Sequence, residues 1–459
     1  MSTLSNILET GRRSLQVQQL AMQVIGHNTT NAGTVGFSRR RLDLGTAPPG
    51  STGQWNLGSG VDVQRIGRIR DTLLDNQIRD ETTISSYWGS REDSLGRVEE
   101  IFNALGDNNL GSLMDNFWKS WQDLANDPES MAPRYALRDN ANALVNTVKR
   151  VNRNLNDQIE DVNARIMDGA GQMNSLTSAI AELNVRIVQA ELNGTEASDL
   201  RDSRDLLIEQ LSGLTNISVA EEADGSVNVY SDGHIIVQRD LAVHLNVDIS
   251  ESDPKNEIVL TLGTSGFHWK ANGGELGALF EHRDKEIPAL LEQLDAFARE
   301  FSSAVNAVHA TGFGLDGTNG HEFFSADVTG AADLNLSNAI LEDPTRIASA
   351  GAANSPGDNS IALAIAALQN QMTSSGATID QMLRNIPLEL GSRRATAIQQ
   401  RDIESAVLEN AVNRRYEVSG VSLDEEMARL LEAQKAYEAA AKIIQTVDQM
   451  MQTVLTLKQ

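Results

Sequence analysis

Through residues 421–459 (VSLDEEMARLLEAQKAYEAAAKIIQTVDQMMQTVLTLKQ) apolar positions recur at steps of three and four, uninterrupted by Gly or Pro. The spacing predicts one long helix with two apolar seams. One seam is Met427, Leu430, Gln434, Tyr437, Ala441, Ile444, Asp448, Met451 and Leu455; the other is Ala433, Ala436, Ala440, Ile443, Val447, Met450, Val454 and Leu457. Ser422 and Glu425 have the S-x-x-E spacing of a capping box, which satisfies two backbone donors at a helix start. Near the other end Leu4, Leu8, Gly11, Leu15, Gln18, Met22 and Ile25 step by four and three, with Ile7, Val17, Leu20 and Val24 beside them. These two helices are expected to pair. A helix with one seam needs one partner, and two seams need neighbours on two sides. Either both helices dock on an ordinary globular body, or the second seam awaits other copies of the chain. In the second case the helices are expected to be loose until assembly orders them.

Between these ends helix alternates with extended chain. Asn28, Asn31 and Gly33 stop the first helix in a turn. After a Pro/Gly loop near residues 48–53, Val61, Val63 and Ile66 alternate as a short strand. A helix over 71–105 turns Leu74, Ile78, Trp88, Leu95, Val98 and Phe102 inward, and a second from Leu110 carries Phe117, Trp118 and Trp121. The longest runs from Pro133 to Leu192, roughly 90 Å if unbroken, with Gly169 and Gly171 as candidates for a bend and Asn193-Gly194 as the stop. From Ile217 to Trp269, Val and Ile alternate between the turn pairs Asp224-Gly225 and Asp232-Gly233, which predicts antiparallel strands. Ile287, Leu290, Leu294, Phe297, Phe301, Val305 and Val308 return the chain as a helix. A Gly-rich loop with strand character follows at 309–326, and a last helical section spans Thr378 to Val418.

The predicted fold is multidomain and mainly α. Paired coiled-coil helices come from 1–45 and 421–459. An elongated helical-bundle body with short β segments comes from 46–214 and 273–420. A small antiparallel β domain is inserted at 215–272, at a position where replacement by a short linker is expected to leave the body folded.

Composition changes this picture little, but it removes function classes. A length of 459 residues allows two to four domains. A net charge of −25 argues against nucleic acid as a partner. No apolar run of 18 or more residues occurs, so no membrane insertion is predicted. With no cysteine there is neither a disulfide nor a thiolate metal site. The start of the sequence lacks the apolar core of a cleavable secretory signal. Charge is uneven: residues 1–47 balance to +3, whereas 215–275 balance to −7.

Candidate chemistry is sparse. His27, His234, His244, His268, His282, His309 and His321 show no metal-ligand spacing. No phosphate-binding loop or nucleophile elbow occurs. Gly312, Gly314, Gly317 and Gly320 read as turn residues. The expectation is a protein with no catalytic residues, no cofactor and no metal, and not an enzyme.

Three blocks carry a resemblance. SLQVQQLAMQVIGHNTTNAGTVGFSRRRLDL resembles the amphipathic helix and Asn-rich turn of the bacterial flagellar axial proteins, with Asn28, Asn31, Gly36, Phe37, Ser38 and Arg39 on the family's turn motif. Gly33 stands where the family pattern has a second Asn. GVSLDEEMARLLEAQKAYEAAAKIIQTVDQMM is similar to the G-V-[NS]-L-D-E-E-M signature shared by rod, hook and junction members. The interior segments GSGVDVQRIGRIRDTLLDNQIRDE, HATGFGLDGTNGHEFF and SPGDNSIALAIAALQN resemble the hook–filament junction members. An outer domain of longer members is missing.

The resemblance implies a structural subunit of the hook–filament junction, exported uncleaved by the flagellar type III apparatus and placed outside the cell. It implies polymerisation into a ring or helical layer through the terminal helices. The implied interface is Leu4, Leu8, Leu15, Met22 and Ile25 with Met427, Leu430, Tyr437, Ile443, Ile444, Val447, Met450, Met451, Val454 and Leu455. Implied partners are hook protein, a second junction protein or the flagellin side of the filament, and a cytoplasmic export chaperone on the C-terminal helix. The alternatives are another axial subunit of hook or rod type, or an adhesin-like flagellar surface protein.

Overall fold

The computed structural model describes residues 2–47, 58, 60–103, 106, 109–249, 258–264, 266–373 and 376–456. The expected loop near 48–53 and Leu457 lie outside these residues. The chain opens with α1 (Ser2–Thr30) and a hairpin, β1 (Arg40–Thr46) and β2 (Val61–Arg68). Arg40 pairs with Arg68, and a bulge falls between Asp43 and Leu44. The helical body follows: α2 (Thr72–Asn103), α3 (Leu110–Asn126), α4 (Met131–Glu191) and α5 (Ser198–Leu214). The Asn109 side chain caps α3 by accepting from the Ser112 N–H. Pro133 falls in the first turn of α4, where its missing N–H is no loss.

α4 is one uninterrupted helix of 61 residues. It runs unbroken through Gly169 and Gly171. A Cβ on Gly169 would lie 2.5 Å from Leu276 Cδ2, so this glycine lets the next helix approach. One stripe of α4, from Leu137 through Val148, Val151, Ile166 and Ile180 to Ile187, is fully buried. Above its first half sits an aromatic cluster in which Phe117 lies 5.0 Å from Trp118 and 5.1 Å from Phe301, and Trp121 lies 5.3 Å from Phe323.

Two separate antiparallel sheets follow α5. Strands β3 (Ile217–Glu221), β4 (Val227–Ser231), β5 (His234–Gln238) and β6 (Leu241–Ala242) form the first; β7 (Leu245–Ile249), β8 (Ile258–Leu262) and β9 (Phe267–Trp269) form the second. Asp232 and Gly233 both have positive φ, as the tight β4–β5 turn requires. Val229, Ile236, Leu260 and Trp269 belong to the same continuous core as α4. Two asparagines of α4 bind the strands as a peptide group would. Asn174 donates to the Leu245 carbonyl at 2.8 Å and accepts the Leu245 N–H at 2.7 Å. Asn184 donates to the Val227 and Arg239 carbonyls and accepts the Val227 N–H at 3.1 Å.

The chain returns through α6 (Gly274–Glu281), a π-helical turn at His282–Glu286, and α7 (Ile287–His309). The Gly-rich loop makes isolated bridges, such as Phe313 with Ala350 and Phe324 with Leu336, and no continuous strand among the described residues. Two short helices, α8 (Asn338–Glu342) and α9 (Ser360–Ala367), lead to α10 (Ile379–Ser419), which packs along α2. Thr378 and Gln381 start α10 with a complete capping box. After Gly420 the chain turns into α11 (Leu423–Thr456), which pairs with α1.

Candidate assembly interface

α1 and α11 run antiparallel. Asn28 meets Glu426 at one end, and at the other a Cβ on Gly11 would lie 2.9 Å from Ile444. On α11 the buried residues are Glu426, Ala433, Ala440 and Val447, seven apart. Leu430, Tyr437, Ile444 and Met451 follow each by four and are half-buried. This is one heptad seam built from alternate members of the two expected ones. The expectation of two separate seams, the second left for other copies, is therefore corrected: Val447 of the second seam is buried, and Ile444 of the first lies against α1. What stays exposed lies beside the seam, at Met427, Ile443, Met450 and Leu455, and on its last position, Val454, with Leu431 further round. On α1, Ile25 is buried with Val17 and Val24, whereas Leu4, Leu8, Leu15 and Met22 are half-buried and Ile7 is exposed.

The turn motif after α1 closes onto the start of α11. Asn28, 1% exposed, donates to the Arg40 carbonyl and to Glu426 Oε2, both at 3.0 Å, and accepts the Arg40 N–H at 3.0 Å. Arg39 donates through Nε to Glu426 Oε1 and through Nη2 to Glu425 Oε2, each at 2.9 Å, while its N–H donates to the Ser419 carbonyl. Burial disfavours the Arg39 charge, and the two carboxylates more than offset that, so its pKa is raised. The capping box at the start of α11 forms only in half. The Glu425 N–H reaches Ser422 Oγ at 3.5 Å, but the Glu425 carboxylate is committed to Arg39.

The rest of the motif shapes the turn. Asn31 donates to the His27 carbonyl at 2.9 Å and so terminates α1. Gly36 has φ +80, and Leu206 packs against it. Phe37 lies between the His27 ring, 5.5 Å away, and the Arg40 guanidinium. The Ser38 N–H donates to Asp202 Oδ2 at 3.1 Å.

Leu206 and Asp202 belong to α5, a helix that the apolar pattern did not predict. Its acids grip the segment between α1 and α2. Arg68 Nη1 donates to Asp202 at 2.9 Å and to Asp205 at 2.8 Å; Arg70 donates to Asp205 at 2.8 Å and forks onto Asp75 of α2; Arg40 pairs with Asp199. Burial raises Asp205, but Arg70, Arg68 and Arg204 outweigh it and hold the carboxyl below its ordinary value; Asp202, for which burial prevails, is pushed up. The legible signal was the spacing of Asp199, Asp202 and Asp205 by three, one face of a helix.

Among the described residues no group of three or more His, Asp or Glu is placed to hold a metal, and no helix is long and apolar enough to cross a membrane.

A family model described as the helical domain of the flagellar hook-associated protein FlgK matches residues 95–324, half of the chain. A second, described as the C-terminal part of the flagellar basal body rod FlgEFG proteins, matches residues 413–457. The chain is 28% identical to flagellar hook-associated protein 1 of Bacillus subtilis over 98% of this chain and 97% of that protein. It is 24% identical to flagellar hook-associated protein 1 of Escherichia coli, over 99% of this chain and all of the relative. In structure it resembles the flagellar hook junction protein FlgK from Burkholderia pseudomallei, with a TM-score of 0.67 and 16% identity over 75% of this chain and 100% of that one, a likeness of fold.

Proposed function

This chain belongs to the FlgK family of flagellar hook-associated proteins, structural components of the hook–filament junction, and from that premise we propose how it builds the junction. Copies associate as a ring or helical layer through the faces of α1 and α11 that the pair leaves open. The observation that carries this is exposed apolar side chains on both flanks of a seam that is already filled, Met427 and Leu455 on one side and Ile443 and Met450 on the other. Apolar side chains left exposed beside a filled seam mark a protein interface. The paired helices (1–45 and 421–459) form the inner layer, the helical body (46–214 and 273–420) lies outside it, and the β segment (215–272) lies furthest out. Hook subunits bind below; a second junction protein or the filament binds above. Before export through the flagellar type III apparatus, a cytoplasmic chaperone covers the C-terminal helix, and the chain acts outside the cell. The role is structural, without a catalytic step.

A strain lacking this chain tests the reading. It is expected to build hooks, to secrete unassembled flagellin, and to regain filaments when the full chain is restored. Filaments growing normally on its hooks would overturn the junction role. Deleting residues 2–40 is expected to stop secretion of the chain itself, read by immunoblot of the culture medium.

A further inference from the structure

We infer that Glu426 sets the register of the α1–α11 pair, and that it does so as the one charged residue in an otherwise repetitive seam; this deepens the proposed function and rests on it. The seam repeats every seven residues: Ala433, Ala440, Val447 and Val454 occupy equivalent positions, as do Leu430, Tyr437, Ile444 and Met451. Slide α11 by one heptad and each apolar residue is replaced by another apolar residue. Apolar contacts therefore separate the two registers weakly. Gly11 at the far end admits whichever side chain faces it.

Glu426 breaks this near-degeneracy. It is 1% exposed and holds Asn28 at 3.0 Å and Arg39 at 2.9 Å, while Asn28 is fixed in turn on the Arg40 backbone and Arg39 on the Ser419 carbonyl. In the slid register Ala433 takes its place. Arg39 and Asn28 then lose their carboxylate, and a buried guanidinium without a partner is costly. A single polar residue at a seam position fixes register in coiled coils at some expense of stability. Here register decides where Ile443 and Met450 stand along the tube, and hence whether neighbouring copies match.

The absence of cysteine makes the test direct. Gln16→Cys and Glu438→Cys, both at exposed positions, carry spin labels on α1 and α11 of the full chain, and pulsed dipolar spectroscopy reads the distance between them. The expected result is one narrow distance in the parent and in Glu426→Asp, which keeps a carboxylate for Arg39 and Asn28. Glu426→Leu is expected to keep the helices paired but to add a second, longer distance, because one heptad of rise carries the labels about 10 Å out of step along the helix axis. A single unchanged distance in Glu426→Leu, or a broad distribution in the parent, would overturn the inference. The junction role itself is read separately, from filament growth in the deletion strain, so either idea can fail alone.

Discussion

At the scale of single residues, amide side chains do much of the joining. Asn28, Asn174 and Asn184 each donate to a carbonyl and accept an N–H of extended chain, and Asn306 does the same for Phe323 and Phe324. A primary amide presents the donor and acceptor of a peptide group, so a helix can bind a strand without a strand of its own. Apolar residues of α11 divide by exposure in a way that separates folding from assembly. Ile443→Asp and Met450→Asp place charge at positions 48% and 52% exposed; monomer stability is expected to change by less than about 0.5 kcal/mol, while incorporation at the hook tip is lost. Val447→Asp buries a charge against α1 and is expected to unpair the helices. Calorimetry and hydrogen exchange of the monomer, beside a motility assay, distinguish these outcomes. His309 carries a pH dependence. Burial lowers its pKa from 6.5 to about 4, and it sits as the neutral ring, donating to the His321 carbonyl at 2.7 Å and accepting the Ala348 N–H at 2.9 Å. The unfolded chain takes up this proton near 6.5 and the folded chain only near 4. The stability from His309 is thus complete above pH 6.5 and lost as pH falls towards 4, on the order of 3 kcal/mol. His309→Gln keeps both hydrogen bonds in shape, and its melting temperature is expected to lack that component of the acid slope.

At the scale of elements, helix positions were legible where apolar periodicity was strong. The 61 residues of α4 and the burial of its stripe follow from the sequence, as does the capped start of α10. α5 was not legible, because its first half buries polar residues and its buried apolar residues, Ile208, Leu211 and Leu214, come only near its end: Asp202 and Arg204 have 6% and 1% exposure. A charged stretch reads as a solvated face unless its counter-ions are known, and here they come from Arg68 and Arg70, more than 130 residues away. Asp205→Ala removes the acid shared by both arginines. Breaking such a buried network typically costs about 3–5 kcal/mol, and limited proteolysis is expected to cut first between α1 and α2. The two seams expected on α11 were misjudged for a different reason. Periodicity counts apolar positions, but the width of α1 decides how many of them one partner covers. The β segment shares more of its core with the body than its sequence suggests. Because Val229, Ile236, Leu260 and Trp269 share the core of α4, a Gly/Ser linker in place of 217–272 is expected to bare Met173, Ile180 and Ile187. Loss of the soluble, cooperatively melting body is the predicted result; an unchanged melting curve would show that the sheets are an independent unit.

At the scale of the whole molecule, the pair formed by α1 and α11 joins residues 398 positions apart in sequence, Asn28 and Glu426. Bringing such distant points together in a free chain would cost loop entropy with no local reward. The folded body supplies the proximity in advance. β2 is docked on α5, α10 lies along α2, and the Arg39 N–H is already at the last carbonyl of α10. Chronology follows from this geometry. The body supplies the place where the two end helices meet, so their pairing is expected to form last on folding and to be lost first on unfolding, which hydrogen exchange of α1 and α11 would read. They can open like a hasp while everything behind them stays shut. A protein made this way can travel with its ends apart and close them only on arrival.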